Sequence, residues 1–320
     1  MKKVSIIIPA YNCEKTLAEC LGNVVHQSLK DIEVIIVDDA STDGTWDIIV
    51  ECERQFPELI VAIKSDVNRG PGGARNIGLM YASGEYIGFV DSDDIVSTKM
   101  YEKLYVTAKE GDYDIVDCGY YNQEKDNAIV HTSDELAGDM DGHKRSELIV
   151  SGGYLWSRIF KRELIADAGI CFREGVILED AEFLMCMHML AKRVGNVKEI
   201  LYNYRSFPTS ASKEVEPVKY MRYAVAAMDA IYETMSKFAN YAEVKNAVEY
   251  VIFQLASYCT NICLANEKKS YNSNAREKLK EIENRLKKYV SISYKENKYI
   301  QAKISKMDLD VMKEFYKALF

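Results

Sequence analysis

Four apolar runs alternate with helical patterns at the start of the chain, and polar residues directly follow most of these runs. The runs are Val4–Ile8, Glu33–Val37, Leu59–Ile63 and Tyr86–Val90. Continuous apolar strands separated by helices are typical of a parallel sheet covered on both faces. In such sheets ligands bind outside the carboxyl ends of the strands. The sequence therefore predicts an α/β fold with a site lined by Pro9–Asn12, Asp38–Asp39 and Asp91–Asp93.

The pattern changes towards the end of the chain. Beyond Pro217, apolar residues recur at helical spacing, first in a stripe from Tyr220 to Phe238 and then in one from Val244 to Ile262. We therefore predict two domains, an α/β domain at residues 1–215 and a C-terminal α-helical region at residues 216–320.

Charge and hydropathy limit the partners and the location. The net charge of −8 argues against a nucleic-acid binder, yet residues 266–306 carry 12 lysines and arginines against 5 acidic residues. This basic segment is either a solvated helix face or a contact for anionic lipid head groups. We find neither a secretory signal nor a run long enough to span a membrane. We therefore expect a cytoplasmic protein, either free or peripheral on the inner face of the membrane.

An acidic cluster, Asp91-Ser92-Asp93-Asp94, directly follows the fourth run. Two carboxylates separated by one small residue at the end of a buried strand suit a hard cation such as Mg²⁺ or Mn²⁺. The same residues also occur in ordinary acidic turns. The second strand-end pair, Asp38–Asp39, favours the functional interpretation.

A glycine-rich loop, Asn68–Asn76, leads into a predicted helix at residues 72–82. Glycines permit close backbone approach, and a helix N-terminus favours anions. The loop has neither the Gly-Lys-Ser/Thr of a Walker A loop nor the Rossmann glycine spacing. By itself it indicates only a loop.

Taken in order, these motifs resemble those of the family 2 inverting glycosyltransferases of GT-A fold. Three later segments are also similar to that family, and the resemblance covers about residues 3–213. The segments are Leu155–Arg162 with its tryptophan, Leu178-Glu179-Asp180, and Tyr204-Arg205 followed by Ser210 and Ser212.

The resemblance implies a role for each matching residue. Asp180 would be the general base, and Asp93 would bind Mn²⁺ or Mg²⁺ on the diphosphate of a UDP-sugar. Trp156 and Glu179 would line the pocket for the sugar or the acceptor. The residues implied to bind the nucleotide sugar are Pro9, Tyr11, Asp39, Arg75, Asp91, Ser92 and Arg205.

The implied reaction is inverting, metal-assisted transfer of a sugar to a saccharide or to a lipid-linked saccharide. One carboxylate that accepts the proton of the attacking hydroxyl on the far face gives inversion. Asp180 has an alternative interpretation as the N-cap of a helix at residues 181–190. Two other functions stay open: a catalytically silent saccharide-binding protein and a sugar nucleotidyltransferase. The latter calls for a basic glycine-rich loop after the first strand, where this chain has Pro9–Asn12.

Overall fold

The fold is taken from a computed structural model that describes residues 1–207, 216–267 and 273–316. Ser210 and Ser212 lie outside the described residues, as does part of the basic segment 266–306. The described residues form two compact units. The first unit contains residues 1–140 and 153–207, and the second contains residues 141–152 together with the residues described beyond 207. The domain limits at 215 and 216 stay a prediction.

The strands and helices are numbered along the chain. The strands are β1 (Val4–Ala10), β2 (Ile32–Asp38), β3 (Ile60–Lys64), β4 (Tyr86–Phe89), β5 (Ile95–Val96), β6 (Ile115–Asn122), β7 (Asn127–Ile129), β8 (Gly138–Asp139), β9 (Arg158–Lys161) and β10 (Arg193–Tyr204). The helices are α1 (Leu17–Val24), α2 (Thr45–Gln55), α3 (Gly70–Tyr81), α4 (Met100–Gly111), α5 (Gly142–Ser151), α6 (Arg162–Ala168), α7 (Glu179–Leu190), α8 (Pro217–Met235), α9 (Tyr241–Glu267), α10 (Ser273–Tyr289), α11 (Lys298–Lys303) and α12 (Lys306–Phe315).

One sheet runs through the first unit in the order β3-β2-β1-β4-β9-β6-β10-β5. The strands β3, β2, β1 and β4 are parallel, as the alternating pattern predicts. Strand β9 is antiparallel to both β4 and β6, so the second half of the sheet is mixed. The expectation of a mostly parallel sheet is confirmed, because β6 and β10 in the second half are also parallel to each other. Strand β9 has only two apolar residues, Ile159 and Phe160, between Arg158 and Lys161, and this pattern is too short to reveal its direction.

Helices cover both faces of the parallel half. Ile6 and Ile8 of β1 belong to the buried cluster that includes Leu17 and Leu21 of α1. Ile7 points the other way, towards α3, where a Cβ added to Gly78 would lie 2.5 Å from its side chain. Successive side chains of a strand point to opposite faces, so a strand covered on both sides is apolar throughout.

The second unit is helical within the described residues, as the stripes beyond Pro217 predict. Glu249 of α9 is fully buried and joins this helix to the segment after α10. Its carboxylate accepts hydrogen bonds from Ser291 N at 3.1 Å and from Ile292 N at 2.9 Å. Among the helices that the structure describes, we find none with the length and apolarity needed to cross a membrane.

Candidate functional site

The first two strands bring Tyr11 and Asp39 to the same edge of the sheet. The backbone N–H of Asp39 donates to the carbonyl of Ala10 at 2.8 Å. The Asp39 side chain is buried, and its Oδ1 accepts a hydrogen bond from Arg69 N at 2.8 Å. Tyr11 is 49% exposed, so its ring is open to a ligand, and Pro9 pairs with Val37 on the neighbouring strand.

Asp38 has a different environment from Asp39. It is fully buried, and its Oδ1 accepts from Ser41 N at 3.2 Å. Thr42 N donates to the side chain of Asn12 at 2.8 Å, so the loops after β1 and β2 are held together. Asp38 therefore braces the loop after β2 from within the fold.

The acidic loop after β4 separates into residues with different environments. Asp94 is fully buried and accepts hydrogen bonds from the Tyr202 hydroxyl and from Arg205 N, both at 2.7 Å. Burial, together with the Asp91 and Asp93 carboxylates, raises the pKa of Asp94 to about 8. Asp94 thus anchors the loop to the end of β10. Tyr202 was not identified from the sequence, because its role depends on a contact 108 residues away.

Arg205 also holds this loop. Its Nε donates to the backbone oxygen of Asp93 at 2.6 Å, and another guanidinium nitrogen bonds Glu19 at 2.5 Å. Burial raises the pKa of the Cys13 thiol, and Ser92 lies close enough to that thiol to oppose the rise. Arg205, Asp93 and Ser92 are therefore close together.

Arg75 forms the centre of a buried ion cluster. Its guanidinium donates to Glu179 Oε1 at 2.5 Å and to Asp91 Oδ1 at 3.0 Å. Arg75 and Glu179 are both buried, and Asp91 is half-buried. Burial alone would lower the pKa of Arg75, but the carboxylates of Asp91, Glu179 and Asp180 raise it overall. Both terminal nitrogens of this arginine are thus bound to carboxylates of the protein.

Asp180 lies beside this cluster, in the first turn of α7. The N-cap residue of α7 is Leu178, so the interpretation of Asp180 as an N-cap is wrong. Burial and the neighbouring Glu179 raise the pKa of Asp180 to about 6, while Arg75 opposes this rise. A carboxylate with this pKa is ionised at neutral pH and is a better proton acceptor than an ordinary aspartate.

Trp156 is the centre of an aromatic stack. It lies 4.1 Å from the ring centre of Tyr202 and 4.6 Å from that of Tyr154, with nearly parallel planes. Trp156 is only 4% exposed, whereas Tyr154 is 36% exposed. Burial and the nearby Asp180 carboxylate raise the pKa of Tyr154. The exposed ring beside Asp180 is therefore Tyr154, which the sequence analysis missed, with Trp156 beneath it.

A divalent cation fits Asp93 if the cation also has ligands from a substrate. Within the part of the chain that the structure describes, no three His, Cys, Asp or Glu side chains are placed to hold a metal ion. Mg²⁺, however, commonly binds through one or two carboxylates and substrate phosphates. Burial and the Asp91 carboxylate raise the pKa of Asp93 to about 6. A negative charge there is thus costly until a cation compensates it.

Comparison with known proteins identifies the family. Residues 5–167, about half of the chain, match the model of glycosyl transferase family 2. The chain belongs to glycosyl transferase family 2. The match ends before Glu179 and Asp180.

The names of individual relatives support this assignment to family 2. The chain is 34% identical to the glycosyltransferase EpsJ of Bacillus subtilis over 221 residues, which are 66% of this chain and 63% of EpsJ. It is 44% identical over 111 residues to the Escherichia coli UDP-Glc:alpha-D-GlcNAc-diphosphoundecaprenol beta-1,3-glucosyltransferase WfaP. That alignment covers 34% of this chain and 43% of WfaP.

The fold of the family 2 chain is also found in a solved structure. Residues 1–349 of S. aureus TarS match it with a TM-score of 0.73 at 22% identity. The match covers 99% of this chain and 90% of that one, and the same TarS fragment has been crystallised with UDP. The predicted GT-A fold with C-terminal helices is therefore confirmed.

Proposed function

We propose that this family 2 glycosyltransferase moves a sugar from a UDP-sugar to a saccharide or lipid-linked saccharide acceptor with inversion at the anomeric carbon. One observation carries the proposal: Asp180, with its pKa raised to about 6, lies beside the Arg75–Asp91–Glu179 cluster and the exposed ring of Tyr154. Transfer to a sugar hydroxyl requires a positioned proton acceptor, and the exposed aromatic ring beside it offers a surface for the acceptor sugar.

Asp180 acts as the general base in this mechanism. It accepts the proton of the acceptor hydroxyl as that oxygen attacks the anomeric carbon and the bond to the diphosphate breaks. Attack from the face opposite the leaving group inverts the configuration, so an α-linked donor gives a β-glycoside. Tyr154, supported by Trp156, and Glu179 form the acceptor side of the site.

The remaining residues hold the donor. The exposed ring of Tyr11 stacks on uracil, and Pro9 and Asp39 shape the surface beside it. Arg205 and Ser92 fix the acidic loop, and Asp91 faces the ribose or the donor sugar. Asp93 would hold Mn²⁺ or Mg²⁺, which stabilises negative charge on the departing diphosphate. Arg75 keeps Asp91 and Glu179 in place next to the donor.

The substrates are proposed by class. The name of WfaP specifies UDP-glucose as donor and a diphosphate-linked lipid saccharide as acceptor. This supports a UDP-hexose and a lipid-linked acceptor for the present chain. Such an acceptor places the enzyme at the cytoplasmic face of the membrane, where the basic segment 266–306 contacts anionic head groups.

Two measurements test the proposal. The first is a panel of UDP-sugars assayed for UDP release with saccharide acceptors, and the second is calorimetric titration of UDP with and without Mn²⁺. We expect metal-enhanced UDP binding and acceptor-dependent turnover. In Asp180→Asn, turnover should be lost while UDP binding is retained. UDP binding without turnover on any acceptor would favour a silent saccharide-binding protein.

A further inference from the structure

The segment that precedes Asp180 has no regular secondary structure of its own. Residues 169–178, which we call the base loop, connect α6 to α7. The loop ends at Leu178, whose φ of +66° is unusual for a residue with a branched side chain. Such a conformation persists only when the surroundings hold it in place. The contacts that hold the base loop therefore bear on the position of Asp180, which follows Leu178 by two residues.

Asn76 of α3 holds the backbone of the base loop. Its Nδ2 donates to the carbonyl of Phe172 at 2.9 Å, and its Oδ1 accepts from Phe172 N at 2.8 Å. One amide side chain thus satisfies both backbone groups of one residue, which requires a donor and an acceptor side by side. Alanine loses both hydrogen bonds, and aspartate loses the donor.

Glycines let the start of α3 approach the base loop closely. A Cβ added to Gly72 would lie 2.3 Å from the carbonyl oxygen of Arg173 and 3.0 Å from the side chain of Glu179. Gly175 N donates to the carbonyl of Arg69 at 2.6 Å. The glycine-rich motif that suggested an anion-binding loop therefore packs against the protein's own backbone.

Phe172 also contacts α7, the helix that carries Asp180. Its ring stacks on Phe183 of α7 at 4.2 Å between centroids, with an interplanar angle of 16°. Phe183 lies three residues after Asp180, so both are near the N-terminal end of the same helix. The position of Phe172 thus helps to set the position of α7.

We propose that Asn76 and Gly72 are positioning residues that hold the base loop against α3 and thereby fix Asp180 at the acceptor. This inference rests on the proposed role of Asp180 as the general base. The two residues act through Phe172 and Arg173 and do not contact substrate themselves.

The test uses two variants with matched controls in the full chain. Asn76→Ala is paired with Asn196→Ala, which also removes two hydrogen bonds, one to the carbonyl of Thr132 and one to Asp134 Oδ1, elsewhere in the same unit. Gly72→Ala is paired with Gly22→Ala, where an added Cβ would meet no atom within 4 Å. Asn76→Asp, which keeps the size of the side chain and its acceptor, serves as the milder variant if Asn76→Ala does not fold.

We expect kcat to fall about 10- to 100-fold in the Asn76 and Gly72 variants, because a displacement of about 1 Å at a reacting group has effects of this size. UDP affinity should stay within about twofold, and both controls should keep their kcat. Amide exchange in the base loop should rise about tenfold or more in Asn76→Ala and Gly72→Ala.

Unchanged kcat in both Asn76→Ala and Gly72→Ala would overturn the proposal. So would a fall in kcat that is matched by weaker UDP binding, since the motif would then bind the donor itself. An inactive wild-type enzyme would instead count against the proposed function, and amide exchange would still report whether Asn76 holds the base loop.

Discussion

Replacing Arg75 with methionine tests the buried ion cluster. In the protein, the guanidinium of Arg75 is bound to Glu179 at 2.5 Å and to Asp91 at 3.0 Å. The side chains of Arg75 and Glu179 are each 7% exposed. Methionine fills a similar volume but removes the positive charge. Glu179 then stays buried without its partner, with Asp91 and Asp180 close by.

The expected loss of stability follows from this burial. Removing one partner of a buried ion pair typically costs about 3–5 kcal/mol, because the other charge is left uncompensated. For a domain of this size, about 1 kcal/mol corresponds to about 2–4 °C, so Tm should fall by about 6–20 °C. In the double variant Arg75→Met/Glu179→Gln, about 1–3 kcal/mol should return, because one unpaired charge is gone.

The loss of stability in Arg75→Met should also depend on pH, and it should be smaller at lower pH. Arg75 lowers the pKa of Asp180, so its removal raises that pKa further. A carboxyl whose pKa is raised in the folded state favours folding at lower pH, where it is protonated. The difference in Tm between wild type and Arg75→Met should therefore narrow from about pH 8 to about pH 5.5.

Urea unfolding and thermal melts at both pH values measure this prediction. Arg54→Met is the control, because the Arg54–Glu51 pair is exposed and should contribute little. A Tm for Arg75→Met that equals the wild-type value at the higher pH would refute the reasoning. A difference in Tm that does not change between the two pH values would refute the electrostatic part of it.

Three further predictions concern the base, the aromatic stack and the second unit. The kcat of the wild type should rise with pH through about 6 and then level off, because Asp180 is protonated and inactive below its pKa. A pH–rate profile at saturating substrate measures this rise, and a flat profile from pH 5 to 8 would contradict the prediction. Trp156→Ala should lower the free energy of unfolding by about 3–5 kcal/mol, measured by urea titration, because a buried ring between Tyr154 and Tyr202 is lost. Glu249→Ala should lower the free energy of unfolding by about 2–3 kcal/mol in the same assay, because the backbone N–H groups of Ser291 and Ile292 lose their acceptor. An unchanged free energy of unfolding would mean that water replaces the carboxylate.

The parallel half of the fold could be predicted from local periodicity. The apolar runs of β1, β2 and β4 and the polar residues after them are visible without tertiary contacts, and so is the start of the helix at the glycine-rich loop. The direction of β9 could not be predicted, because two apolar residues between Arg158 and Lys161 form too short a pattern, and its antiparallel pairing depends on strands distant in the sequence. Helix α5 groups with the C-terminal helices because of packing between distant segments, which periodicity does not show.

The candidate site could also be predicted only in part from the sequence. Asp93, Asp180 and Arg75 could be predicted as site residues, because each belongs to a motif that is visible in the sequence. The resemblance implied that Arg75 binds the nucleotide sugar, and the structure shows its guanidinium bound to Glu179 and Asp91. Trp156 was expected to line a pocket, but it is buried and Tyr154 is the exposed ring.

The sequence by itself determined the family, the alternation of strands and helices, and the edge of the sheet where polar residues gather. These features depend on the order of residues along the chain, so local patterns and motifs reveal them. Only the tertiary structure decided which of those residues face solvent, which are bound to one another, and how Asn76 holds the loop before Asp180. Such contacts join segments about 100 residues apart, and burial changes the charge and hydrogen bonding of each side chain according to its neighbours.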